Sequence, residues 1–244
     1  MTEVLDSSKD YYAFYHLEQF RQALLANSRL INIKDLGAGS KINNKATKHI
    51  NQIAKTALSS KNQCRALFNL VNYIKADSIL ELGTSLGLSA AYMSKARQKA
   101  QIISIEGDPE IASLAAIHFK QLGLRNIQLM NEEFDKALDQ IADKSFDFIY
   151  IDGNHQYEST LNYYNRLKGH LTPKGFIMLD DINWSSGMQR AWKEIKLDKT
   201  YNCKLDLFHF GLVNNNTDLI QAIDVSLIEF KYKPFELGLF SKYT

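Results

Sequence analysis

"ILELGTSLGLS" occupies positions 79 to 89 and "IKDLGAGS" positions 33 to 40. Each reads as a short apolar strand running into an acid and a glycine turn. At the carboxyl edge of a parallel sheet, such a turn lets the backbone come close to a nucleotide-type cofactor. The next strand tells the two apart, because an acid at its end is placed to accept hydrogen bonds from ribose hydroxyls. "IISIEGDPE" (102–110) follows the first stretch and ends its apolar run at Glu106. Behind the second come Lys41, an Asn-rich turn and a helical pattern, with no acid-ended strand. The loop at 81–87 is therefore the cofactor candidate, and the loop at 35–40 reads as a turn that docks an N-terminal segment.

Working outward, "SILEL" (78–82), "QIISIE" (101–106), "NIQLM" (126–130), "FDFIYID" (146–152) and "GFIMLD" (175–180) are short apolar runs separated by helical stretches. That alternation predicts right-handed βαβ crossovers and a mostly parallel sheet buried on both faces, the α/β class. Upstream, residues 10–27 carry Tyr11, Phe14, Tyr15, Leu17, Phe20, Leu24 and Leu25 at helical spacing, and 46–58 and 61–75 read as two further amphipathic helices. After residue 200, "CKLDLFHFGLV" and "VSLIEFKYKPFELGLF" lack a crossover helix between them, which predicts an antiparallel C-terminal strand pair. Residues 1–75 form a helical cap segment in this reading, and 76–244 the sheet unit. Pro109 is expected at N1 of a helix capped by Asp108, Pro173 in a "TPKG" turn, and Pro234 in a late edge strand.

Composition narrows the partners. The chain has 244 residues, 45% apolar and 23% charged, enough for one substantial core. A net charge of +2 without a basic cluster argues against nucleic acid. Neither a leader pattern nor a run of about 20 apolar residues is present, so a cytoplasmic protein without membrane attachment is expected. Cys64 and Cys203 are isolated, which suggests buried thiols rather than a disulfide. A homodimer is compatible with these properties.

The loop lacks GxGxxG, since Thr84 and Ser85 stand in its middle; it is ExGxxxG. In this the sequence resembles the class I S-adenosylmethionine-dependent methyltransferases, and more narrowly the small-molecule O-methyltransferases of the catechol and macrolide-sugar type. The resemblance runs from about Ser78 to Ile195 through "ELGTSLGLSA", "SIEGDPE", "IDGNHQYEST" and "MLDDINW". It implies a Rossmann-like sheet with helices on both faces and S-adenosylmethionine as cofactor. The cofactor residues implied are Glu81, Gly83, Thr84, Ser85, Gly87 and Ser89 in the loop, then Glu106 and Gly107 at the ribose. Glu133 and Phe134 in "MNEEF" would lie by the adenine, where Asn131 departs from a common glycine, and Asp152 would orient the cofactor amine.

Three acids carry the chemistry. Asp152 ends one strand and Asp180 and Asp181 end another, neighbouring strands in this family, so the carboxylates repel unless a cation or protons intervene. Hard oxygen donors suit Mg²⁺ or another divalent cation. The metal-free alternative has Asp152 orienting the cofactor or His155, with Asp180 and Asp181 capping a turn. His155 stands where catechol-type enzymes place a lysine base; it is read either as a general base or as a turn histidine. Trp184 is expected to wall a substrate pocket, Trp192 to belong to the core. His16, His49, His118, His170 and His209 receive no role. The implied reaction is O-methylation of a small molecule; N-methylation and a non-catalytic cofactor-binding protein are the alternatives.

Overall fold

The computed structural model describes residue 4 and residues 9–34, 45–214 and 221–226. Loop 35–40 and most of "VSLIEFKYKPFELGLF" lie outside them. Eight strands form one sheet. In chain order these are β3 (Ser78–Leu82), β4 (Gln101–Glu106), β5 (Ile127–Asn131), β6 (Phe146–Ile151), β7 (Leu171–Leu179), β8 (Cys203–Asp206), β9 (Gly211–Asn214) and β10 (Ile223–Ser226). Their spatial order is β5-β4-β3-β6-β7-β9-β8-β10. Strands β3 to β7 pair in parallel. From β3 the chain steps outward through β4 and β5, then returns to place β6 on the other side of β3. The carboxyl ends of β3 and β6 thus form the switch point, where open parallel sheets hold their ligands.

Period-two alternation explains how both faces are filled. Leu80 and Leu82 point to one face, with Ile103, Ile149, Ile151 and Leu179, under helices α6 (Phe134–Gln140), α7 (Tyr157–Leu167) and α8 (Ser186–Leu197). Ile79 points to the other, with Phe148, Tyr150 and Met178, under α3 (Lys61–Ile74) and α4 (Leu88–Ala96). Helix α5 (Pro109–Gln121) begins as expected: Pro109 is at N1 and the Asp108 side chain accepts from the Ile111 amide at 2.9 Å. No described helix is long and apolar enough to cross a membrane.

The N-terminal part differs from the expected three helices. Helix α1 (Tyr12–Ala26) is present, but the helix expected over 46–58 starts only at Ile50, as α2 (Ile50–Ala57). Lys45–His49 is instead β2, antiparallel to β1 (Leu30–Lys34). Ile31 and Ile33 are buried among Leu24, Ile50 and Ile53, which fixes the ribbon's inner face. The polar "KATKH" carries no alternation that could have announced its strand.

Two further corrections concern the far side of the sheet. "TPKG" is not a turn; β7 already begins at Leu171 and passes Gly175 through a register shift opposite Phe146 and Phe148. A Cβ on Gly175 would lie 2.9 Å from the Phe146 carbonyl oxygen, so the strand fits only with glycine there. The antiparallel pair exists, but both its strands lie within or beside "CKLDLFHFGLV": β8 and β9 form a hairpin, β9 inserts antiparallel to β7, and β10 runs parallel to β8. Asp206 makes the turn. One of its oxygens accepts from the Phe208 amide (2.9 Å), the other from the indole of the core residue Trp192 (3.1 Å). Both thiols are free, Cys64 buried and Cys203 half-buried.

Helix α3 opens with a capping box: the Ser60 hydroxyl accepts from the Gln63 amide (3.3 Å) and the Gln63 side chain from the Ser60 amide (2.7 Å). Ser60→Ala is expected to lower the unfolding free energy by about 1 kcal/mol. Urea denaturation followed by circular dichroism measures it, and an unchanged midpoint would contradict the cap.

Candidate functional site

The glycine loop owes its shape to the protein's own packing. Gly83 has φ +102°, and a Cβ there would sit 1.9 Å from the Asp152 carbonyl oxygen. Gly87 has φ +85°, and its Cβ would meet the Phe119 ring at 2.6 Å. Between them Ser85 takes a left-handed φ of 48° and turns its amide onto Glu106, whose Oε2 accepts it at 2.8 Å. Oε1 of Glu106 accepts from the Asp108 amide at 3.0 Å. Burial raises the Glu106 carboxyl above its ordinary value, and these backbone donors work against that rise.

Below the loop is a sealed layer. Glu81 is fully buried and accepts from the hydroxyls of Ser89 (2.5 Å) and Ser104, while Thr84 shares a hydrogen bond with Ser104. Burial pushes Glu81 up to about 7 against the two serine donors. Glu81, Thr84, Gly87 and Ser89, all assigned to the cofactor from sequence, brace the loop from behind and are not among the residues that line the hollow in front of it. Gly83, Ser85, Glu106, Gly107, Glu133, Phe134 and Asp152, from the same assignment, do line a hollow of about 360 Å³. Asp135, Gly153, Asn154 and Tyr163 complete it and were not foreseen. Tyr163 is an edge-on partner of Phe134 at 5.5 Å, a contact between two helices that one strand's pattern does not reveal.

A second hollow, about 530 Å³, adjoins the first; Ser85 and Asp152 line both. Asp180, Asp181, His155 and Trp184 line it. The adjacency of β6 and β7 brings Asp180 beside Asp152, its amide bound to the Ile151 carbonyl at 2.9 Å. Between the two carboxylates stands a residue the sequence reading passed over. The Tyr150 hydroxyl donates to Asp180 Oδ2 at 2.5 Å and lies 3.3 Å from Asp152 Oδ2. Its place two residues before Asp152 on one strand face was the available signal. Asp180 Oδ1 accepts the Asp181 amide at 2.7 Å.

These charges set one another's state. Asp152 is raised well above the ordinary carboxylate range by burial first, then by Asp180, Glu81 and Asp181. Asp180 is pushed up to about 7 by burial, against the Tyr150 donor. His155 Nε2 lies 3.5 Å from Asp152 Oδ1, and burial pulls the imidazole below its ordinary value while the charge of Asp181 opposes. A neutral imidazole facing the hollow can accept a proton.

The remaining walls come from distant stretches: Thr56 to Ser59 and Gln63 on one side, Phe208 and His209 on the other. His209, given no role from sequence, reaches the hollow because the β8–β9 turn is tied to the end of β7. The Asn183 side chain donates to the Phe208 carbonyl (2.7 Å), and the Ile182 amide to that of His209 (3.2 Å). Trp184 is 74% exposed at the rim. No three His, Cys, Asp or Glu side chains among the described residues are grouped so as to hold a metal ion, and the Tyr150 hydroxyl reaches both Asp152 and Asp180. As donors, three hard carboxylate oxygen groups on one wall suit a divalent cation in kind.

Residues 80–182 match the family described as "Methyltransferase domain". Protein R132 of Acanthamoeba polyphaga mimivirus is 27% identical over 176 residues, 65% of this chain and 79% of that one. A catechol O-methyltransferase of Niastella koreensis is 32% identical over 115 residues, 45% of this chain and 52% of that one. The O-methyltransferase from Bacillus cereus, solved in complex with SAH, superposes with a TM-score of 0.61 at 18% identity, over 88% of this chain and 94% of that one. Residues 80–182 are thus similar to the methyltransferase domain family, and the chain shares the fold of the Bacillus cereus enzyme.

Glu81 and Asp180 make stability depend on pH in a definite direction. Burial keeps both protonated in the native chain up to about 7, whereas the ordinary values for Glu and Asp are 4.5 and 3.8. Over that window the native state binds more protons than the unfolded one, so stability falls as pH rises. Cofactor-free protein is expected to show a lower urea midpoint at pH 8 than at pH 5, and Glu81→Gln to narrow the difference. Equal midpoints in the unaltered protein would contradict these assignments.

Proposed function

We propose that the protein transfers a methyl group from S-adenosylmethionine to a hydroxyl of a small molecule. The observation that carries this reading is the junction of the two hollows at Ser85 and Asp152. A donor in the smaller one and an acceptor in the larger one would meet only there. Such alignment of two reactants supplies most of what a direct transfer needs. Bound there, S-adenosylmethionine would present an electrophilic sulfonium methyl group.

In this reading Glu106 accepts from the ribose hydroxyls, using lone pairs left free by the Ser85 and Asp108 amides. Gly107, Glu133 and Phe134 flank the adenine, and Asp152 orients the methionine amine. On the acceptor side, His155 would take the hydroxyl proton and pass it to water as the oxygen gains the methyl group and the methyl–sulfur bond breaks, leaving S-adenosylhomocysteine, while Trp184 and Phe208 hold the acceptor's body. A Mg²⁺ or similar ion at Asp152, Asp180 and Asp181 is supported only by the kind of donor these residues present, since they are not grouped around a common point; such an ion would lower the pKa of a hydroxyl beside it. The reading of the N-terminal part as a cap is supported by Thr56 to Ser59 and Gln63, which line the acceptor side. A cytoplasmic enzyme acting on free small molecules, not on nucleic acid, fits this arrangement.

The test couples binding and turnover. Glu106→Gln keeps the size of the side chain but removes an ionised acceptor, so S-adenosylhomocysteine affinity by calorimetry should fall at least about tenfold. With a panel of small hydroxyl compounds headed by catechol, product S-adenosylhomocysteine is followed in chelated enzyme with and without added Mg²⁺. Activity restored by Mg²⁺ supports the cation, and full activity without metal, abolished by His155→Ala, supports the imidazole alone. Undiminished affinity in Glu106→Gln would overturn the donor site, and methyl transfer only to amines would overturn the hydroxyl.

A further inference from the structure

Leu86, between Ser85 and Gly87 in the glycine loop, lines neither hollow. Its side chain is fully buried among Leu24 of α1, Ile31 and Ile33 of β1, and Ile50 and Ile53 of α2, the core of the N-terminal part. Its carbonyl is held from α5. His118 Nδ1 lies 3.0 Å from that oxygen, and since a carbonyl only accepts, Nδ1 carries the hydrogen and donates it. The imidazole is buried and packs edge-on against Phe20 of α1, with ring centroids 5.0 Å apart. The next residue, Phe119, lies against Gly87, where a Cβ would meet its ring at 2.6 Å.

The loop is thus a turn pinned at both ends. The Gly87 amide closes it on the Thr84 carbonyl at 2.9 Å, which makes Ser85 and Leu86 its two central residues. Glu106 Oε2 accepts the Ser85 amide that enters it at 2.8 Å, and His118 donates to the Leu86 carbonyl that leaves it. Between those bonds Ser85 stands at φ 48°, a conformation that a residue with a side chain keeps only where its surroundings over-determine it. Leu86 is 0% exposed, so no bulk water stands ready to replace the imidazole at its carbonyl. Released at that end, the turn would relax and draw the Ser85 amide off Glu106.

We propose that His118 is a positioning residue for the cofactor site: its Nδ1 hydrogen bond to the Leu86 carbonyl holds the turn that presents Ser85 to Glu106 and to the smaller hollow. Because Phe20 covers the imidazole and the cap's apolar core covers the Leu86 side chain, the N-terminal part shapes the donor side of the site as well as walling the acceptor side. The inference rests on the smaller hollow being the cofactor site, but the contacts that carry it lie wholly within the protein.

The unaltered full chain is compared with His118→Leu, which removes the donor, and His118→Asn, whose Nδ2 stands where Nδ1 stood, one bond from Cγ. Hydrogen exchange is measured at residue resolution on the ligand-free protein, and S-adenosylhomocysteine affinity by calorimetry. His118→Leu should speed exchange of the Ser85 amide about fivefold or more and weaken S-adenosylhomocysteine by a similar factor. His118→Asn, although it leaves a gap against Phe20, should restore both. A histidine that merely packs α5 on α1 predicts the reverse order, with the asparagine variant the more damaged and the loosening confined to Tyr12–Ala26. That order, or unchanged Ser85 protection in His118→Leu, overturns the proposal. Should His118→Leu not fold, the imidazole nitrogen-15 shifts of the unaltered protein decide: a hydrogen on Nδ1 supports the proposal, and one on Nε2 alone overturns it. If the unaltered protein bound no S-adenosylhomocysteine, the cofactor reading would fail, while Ser85 exchange would still decide what His118 holds.

Discussion

Everything in the site depends on one close approach, that of the Gly83 α-carbon to the Asp152 carbonyl oxygen across the ends of β3 and β6. No residue with a Cβ fits there, since that atom would lie 1.9 Å from the oxygen. The approach lets the loop turn sharply enough to put Ser85 over Glu106, and leaves Asp152 at the boundary of both hollows. Were the two strand ends spread apart, each hollow could survive alone, but they would no longer share a wall. The motif glycine thus acts first on protein geometry and only through it on any ligand.

A second constraint is electrostatic. Glu81, Asp152 and Asp180 are carboxyl groups at strand ends where burial disfavours charge, and each is raised. The fold tolerates them through hydroxyl donors: Ser89 and Ser104 for Glu81, Tyr150 for the aspartates. Buried polar groups of this kind are stable only as completed networks. Their placement at the switch point is a cost in stability kept where the chemistry would be.

Much of this was legible in the sequence, for identifiable reasons. The parallel strands announced themselves because a sheet buried on both faces must be made of continuous apolar runs, and Glu106, Asp152 and Asp180 stood at the ends of those runs. The Asp108–Pro109 helix start is a local event and was read correctly. What escaped depended on contacts distant in sequence. Strand β2 is polar and defined only by its pairing with β1; His209 enters through a turn set by Asp206 and Asn183; Tyr150 looked like one more apolar strand residue. The loop residues Glu81, Thr84, Gly87 and Ser89 matched the motif, yet their depth below the surface cannot be read from spacing.

The two hollows also differ in how they are inherited. Every wall of the smaller one falls between Gly83 and Tyr163, inside the 80–182 stretch that matches the methyltransferase family. The larger one shares its acids and His155 with that stretch, but Thr56 to Ser59, Gln63, Asn183, Trp184, Phe208 and His209 lie outside it. The family match therefore covers the whole lining of the smaller hollow and only part of the larger one. None of these outer residues takes part in the approach of Gly83 to Asp152, so under the proposed reading a change of acceptor could be met by altering them while the donor chamber keeps its shape.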